Sequence, residues 1–144
     1  MLKQDFLSKI IEQIVESIAR ILKIDHEKET EKFLNQMDEF LQTYFQISSE
    51  NLEVLLEDNE KTNVFLTDEK LKNFNLNLFT KAGLAYFNQG KVIRANTCLQ
   101  IIRKIQNHPS NVFEFPSNES RAIEFLIEEL QQKLDGTYFN ESNQ

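Results

Sequence analysis

The stretch LNLFTKAGLAYFNQGKVIRANTCLQIIRKIQNHP, residues 76–109, decides the fold class. Apolar residues recur at helical spacing on both sides of Gly90. Before it stand Leu78, Phe79, Ala82, Ala85 and Tyr86; after it come Val92, Ala95, Leu99, Ile102 and Ile105. A period near 3.6 predicts amphipathic helices, not strands. Gln89-Gly90 predicts the stop of the first, because glycine adopts the left-handed conformation that closes a helix C-terminus. Asn107, His108 and Pro109 end the second, since proline cannot continue a helix. The expectation is two close-packed helices joined at Gly90.

The same period extends outward. Leu7, Ile11, Ile14, Ile18 and Ile21 form a seam at spacings of 4, 3, 4 and 3 in a first helix over 5–24. Asp25 predicts an N-cap for a second helix, 26–47, with Phe33, Leu34, Met37, Phe40, Leu41, Tyr44 and Phe45 inward. Ser48 or Ser49 caps a short helix carrying Leu52 and Leu55. The polar run 58–63 predicts a loop. Thr67 predicts the start of the long helix that ends at Asn88. An extended stretch is expected over 110–116. Ser117 caps a last helix with Leu126, Ile127, Leu130 and Leu134, which Gly136 ends. About six helices result, in an all-α bundle. One domain is expected over 1–136, with a flexible tail over 137–144.

Composition agrees with this class. Three Gly and two Pro in 144 residues are too little punctuation for a many-turned β fold. A chain of this length buries roughly 68–70% of its unfolded surface, enough for its own core. Cys98 is the only cysteine, so no internal disulfide forms, and a reducing, cytoplasmic setting is expected. Its apolar neighbours predict a buried, inert thiol. No secretory h-region and no membrane span are expected. His26 and His108 lack Cys or carboxylate partners in ligand spacing, so no metal site is expected. No phosphate-binding glycine loop or nucleophile elbow is present. The expectation is a protein without catalytic function and without a cofactor.

At 76–109 the chain resembles a tetratricopeptide repeat, a helix–turn–helix unit of 34 residues. Phe79, the small pair Ala82-Gly83, the run Tyr86-Phe-Asn-Gln-Gly90, and Ala95, Leu99 and Ile102 carry the resemblance. Ile102 departs from it where a small residue is usual. The N-terminal pattern of Asp5-Phe6, Ile11-Glu-Gln-Ile14 and Ala19-Arg-Ile-Leu22 resembles a family of small uncharacterised bacterial helical proteins. The repeat resemblance implies a right-handed helical hairpin whose ligands lie along its first helix. The implied binding residues are Asn77, Thr80, Lys81, Leu84, Phe87 and Asn88. Leu84 stands where a carboxylate-gripping version of the repeat needs Asn.

Charge is unevenly spread. Residues 70–113 contain no acid and seven bases, Lys70, Lys72, Lys81, Lys91, Arg94, Arg103 and Lys104. That stretch is +7 in a chain of net −7, which leaves −14 elsewhere. Lys91, Arg94, Arg103 and Lys104 form the candidate basic patch. Its charge either balances the acidic flanking helices or faces an anionic partner such as nucleic acid. The favoured function is a protein–protein interaction module that self-associates through an apolar helix face, with a protein partner or a second copy as its ligand. The alternatives are nucleic-acid or other anionic-partner binding through 70–113, and an acidic adaptor resembling secretion chaperones in size and charge.

Overall fold

The computed structural model describes residues 2–109 and 118–142, with side chains over 5–109 and 118–137. Among them are seven helices and no strand. They are α1 (Leu2–Leu22), α2 (Thr30–Phe45), a 3-10 helix (Ser49–Leu56), α3 (Glu60–Thr67), α4 (Lys72–Asn88), α5 (Val92–Asn107) and α6 (Asn118–Ser142). The extended stretch expected over 110–116 and the Ser117 cap lie outside the described residues.

α4 is the axis of the molecule and packs against all five other α-helices. Its buried residues, Leu78 to Thr80 and Ala82 to Tyr86, cover its whole circumference. A helix buried on every side over such a stretch is stable only when enclosed by neighbours. α1 has a one-sided pattern instead. Ile11, Ile14, Ile18 and Ile21 are buried, whereas Leu7, in the same seam, is 40% exposed.

α4 and α5 fold back on each other around Gly90, as the glycine predicts. Gly90 has φ +78°, in the left-handed region. The Lys91 N–H donates to the Tyr86 carbonyl at 2.9 Å and the Gly90 N–H to Phe87 at 2.9 Å. These bonds satisfy carbonyls that the helix end leaves free. About two turns earlier, Gly83 sits where α5 and α6 both approach. A Cβ there would stand 2.7 Å from Leu130 Cδ2 and 3.2 Å from Cys98 Cβ.

Four expected boundaries differ, each for a local reason. The polar run 58–63 is not simply a loop. Asn59 Oδ1 accepts from the Thr62 N–H at 3.1 Å and so caps α3, the seventh helix. Thr67 is the last residue of α3 and not the start of the next helix. Asp68 takes the turn instead, its carboxylate accepting from the Lys70 N–H at 2.9 Å. Asp25 caps a turn, accepting from the N–H groups of Glu27 and Lys28 at 2.9 and 3.1 Å, and α2 begins only at Thr30. Gly136 does not end α6, which continues to Ser142. Gly136 does not adopt positive φ, and Thr137 Oγ1 donates back to the Lys133 carbonyl at 3.1 Å within the helix.

A buried asparagine ties α3 to the axis. Asn75 is fully enclosed, and its Nδ2 donates to the carbonyls of Phe65 at 2.8 Å and Leu66 at 3.2 Å. Both belong to the last turn of α3, whose carbonyls have no partner within the helix.

Cys98 is fully buried on α5, and burial pushes its thiol pKa far up. The thiolate is the reactive form, so native protein is expected to resist an aromatic disulfide reagent at pH 8. Labelling should run at the rate of unfolding and become immediate in denaturant. A fast stoichiometric reaction under native conditions would contradict the enclosure.

Candidate functional site

The six residues implied by the repeat resemblance spread along one side of α4, but their environments differ. Thr80 is fully buried, and its hydroxyl donates to the Leu76 carbonyl at 2.5 Å within its own helix. Leu84 is 3% exposed. Phe87 is half-buried, with Lys133 Nζ of α6 5.6 Å from its ring centroid. Asn77 and Lys81 are half-buried and Asn88 is exposed.

Two depressions divide this side of α4. The larger, about 550 Å³, lies toward the helix start, where Asn77 and Lys81 line it together with Asn73 and Glu119. Its apolar walls come from Ala19 and Leu22 of α1, Phe74 of α4, and Ala122, Ile123 and Leu126 of α6. Asn73, Asn77 and Lys81 are spaced by four, so they stand in one row up the helix. The Asn77 Oδ1 atom is buried without a hydrogen-bond partner. Burial holds the Lys81 ammonium below its usual pKa, and Asp25 partly opposes that shift. Glu119, at the start of α6, is exposed.

The smaller depression, about 230 Å³, lies further along and is lined by Leu84, Asn88, His26, Glu27, Glu129 and Lys133. His26 has only 12% of its side chain exposed, and its Nε2 is buried without a hydrogen bond. Glu27 Oε1 is 3.8 Å from that nitrogen. Burial lowers the imidazole pKa, Glu27 works against the shift and Lys81 adds to it. The unfolded chain, at the ordinary value near 6.5, therefore binds a proton before the folded one. The stabilising difference is complete above pH 6.5 and is lost as the pH falls below it. Tm is expected to drop between pH 7.5 and 5.5, and less so in His26→Gln. An equal drop in both proteins would remove His26 as the cause.

The basic residues do not gather into one patch. Arg94 points to the 3-10 helix, 3.8 Å from Glu50 Oε1, with its guanidinium 6.0 Å from the Tyr86 ring centroid. Lys104 Nζ donates to the carbonyls of Leu55 at 2.8 Å and Glu57 at 3.0 Å, closing the C-terminus of that helix. Arg103 turns the other way and donates to Gln131 of α6 at 3.1 Å. Lys91 is exposed at the start of α5.

A second feature of the surface has no counterpart among the site residues read from sequence. Phe6 is 66% exposed beside Leu7, and both border a groove of about 700 Å³ between α1 and α3. Ile10, Val64 and Phe65 form its floor, and Asn59, Glu60 and Lys61 its rim. Leu7 belongs to the seam of α1, but α2 and α4 are the helices that pack on α1, and how much of the seam they cover is not predicted by a single-helix pattern. Among the described residues no group of His, Cys, Asp and Glu is arranged to hold a metal, and no helix is long and apolar enough to cross a membrane. No protein-family model, curated protein or solved structure matches the chain.

Proposed function

We propose that the chain is a non-catalytic helical interaction module that pairs with a second copy of itself through the α1–α3 face. The exposure of Phe6 next to an apolar groove carries this reading. A two-fold interface must be complementary to itself. Here a projecting aromatic and a groove of apolar floor occupy one patch, so each copy offers the knob that the other accepts. The rim has both signs, Glu60 and Lys61, which a two-fold axis brings into opposite pairs. Aromatic anchors seated in such grooves contribute most of the binding energy in protein interfaces.

The α4–α5 hairpin, with its glycine turn and close crossing at Gly83, supports a single tetratricopeptide-like unit as the scaffold. The anionic-partner reading draws less support, because Arg94, Arg103 and Lys104 are engaged within the chain.

Light scattering after size exclusion tests the proposal. The expected result is a dimer that becomes monomeric in Phe6→Asp/Leu7→Asp, with helical content retained and Tm no longer dependent on protein concentration. A strict monomer at the highest soluble concentration overturns self-association.

A further inference from the structure

We infer that the α1–α4–α6 cavity is a binding site for a small apolar α-amino acid, held by Lys81 at its carboxylate and by Asn77 at its ammonium group. The site is separate from the α1–α3 groove and does not depend on it.

Three observations converge. The cavity, about 550 Å³, lies within the range of roughly 300–1,000 Å³ that small ligands occupy. Six of its ten lining residues are apolar, and the polar ones stand mostly in one row along α4. Such a division, a greasy chamber with a few convergent polar groups, orients a molecule that has one polar end.

The polar groups also lack the partners that would make them merely structural. Asn77 Oδ1 is buried and accepts from nothing, which ordinarily carries a cost of about 1–3 kcal/mol. Lys81 has no hydrogen bond or ion pair among the described residues, although it is half-buried. Asp25 offsets part of that desolvation without pairing with the ammonium, which leaves an anion position open beside Lys81. The two residues are one helical turn apart, with Cβ atoms roughly 5–6 Å from each other. A single α-amino acid carries both charged groups on one carbon, so two side chains one turn apart can converge on them together. Its carboxylate meets Lys81 and its N–H groups meet Asn77 Oδ1. Glu119, exposed at the cavity wall, adds a negative charge to the lining. A simple fatty acid satisfies Lys81 but leaves Asn77 unpaired and meets Glu119 with like charge. The apolar walls of Ile123, Leu126 and Phe74 then receive the ligand side chain.

Titration with L-phenylalanine, followed by isotope-resolved NMR of the full chain, tests the assignment. Saturable shifts are expected at the Asn77 and Lys81 signals. 3-Phenylpropionate, without the ammonium, and 2-phenylethylamine, without the carboxylate, should each bind at least tenfold more weakly. N-acetyl-L-phenylalanine should weaken likewise, because it removes the positive charge. Lys81→Met should lose at least tenfold in L-phenylalanine affinity while keeping the wild-type Tm. No saturable binding by L-phenylalanine or L-leucine overturns the inference. So does binding of the three analogues as tight as that of L-phenylalanine, or shifts confined to the α1–α3 groove.

Discussion

Gly83→Leu is expected to lower the free energy of unfolding by at least about 3 kcal/mol, with α6 the first element to loosen. The position has no room for a side chain. Its first carbon would already approach Leu130 Cδ2 to 2.7 Å and Cys98 Cβ to 3.2 Å. Leu130 and Cys98 are both fully buried, so neither has solvent to move into. Leucine adds three more carbons beyond that point, and the helices must separate to admit them. Gly83→Ala is a finer test, because two effects oppose. Alanine favours a helix over glycine by about 1 kcal/mol. Overpacking costs about 1–3 kcal/mol. The Leu130 terminus has some freedom to rotate, so the net loss should be small, about 0–2 kcal/mol. Urea denaturation gives both values. Hydrogen exchange should show early opening of α6 in the leucine variant. A wild-type midpoint for Gly83→Leu would mean that the crossing is looser than the distances indicate.

The second large effect is expected at Asn75. Asn75→Asp should cost about 3–5 kcal/mol at pH 7, the range for a buried charge left without compensation. The native Nδ2 donates to two carbonyls of α3, at 2.8 and 3.2 Å. A carboxylate in the same place turns donors into acceptors and sets negative charge against both oxygens. Asn75→Ala removes the donors without adding charge, so its cost should be nearer about 1–3 kcal/mol. The two variants separate further with pH. A protonated carboxyl has an O–H to donate, so the aspartate defect should shrink on acidification. The alanine defect should follow the wild-type pH profile. Chemical denaturation of the three proteins at pH 7 and pH 5 measures this. An aspartate variant as stable as wild type at pH 7 would show that α3 is not held through this bond.

The turn at Gly90 was legible from sequence because one residue type meets a conformational demand that others meet poorly. The buried Ile seam of α1 was legible for a similar reason, since periodicity states which residues share a face. α3 was not, and its first turn shows why. Glu60, Lys61, Thr62 and Asn63 have the composition of a loop, and only the bond from Thr62 to Asn59 reveals a cap. Its apolar part, Val64 to Leu66, is too short to declare a period. The stop at Gly136 failed because glycine permits a left-handed turn without requiring one.

The candidate site divided along the same line. The row of Asn77 and Lys81 followed from the spacing of the repeat resemblance. That α1 and α6 roof this row and leave a chamber over it is a tertiary fact. So is the partnering of Arg94, Arg103 and Lys104, because charge along a chain does not state which neighbour each side chain meets.

The central position of α4 has a consequence for the order of assembly. The α4–α5 hairpin is built from residues near in sequence, so its closure loses little chain entropy. α6 leaves the ribosome later, yet it supplies Leu130 over Gly83 and Lys133 beside Phe87. Until it arrives, the nascent hairpin presents Gly83, Leu84 and Phe87 to water. Synthesis slowed between α5 and α6 would therefore prolong the interval in which the chain is open to chaperones and to aggregation.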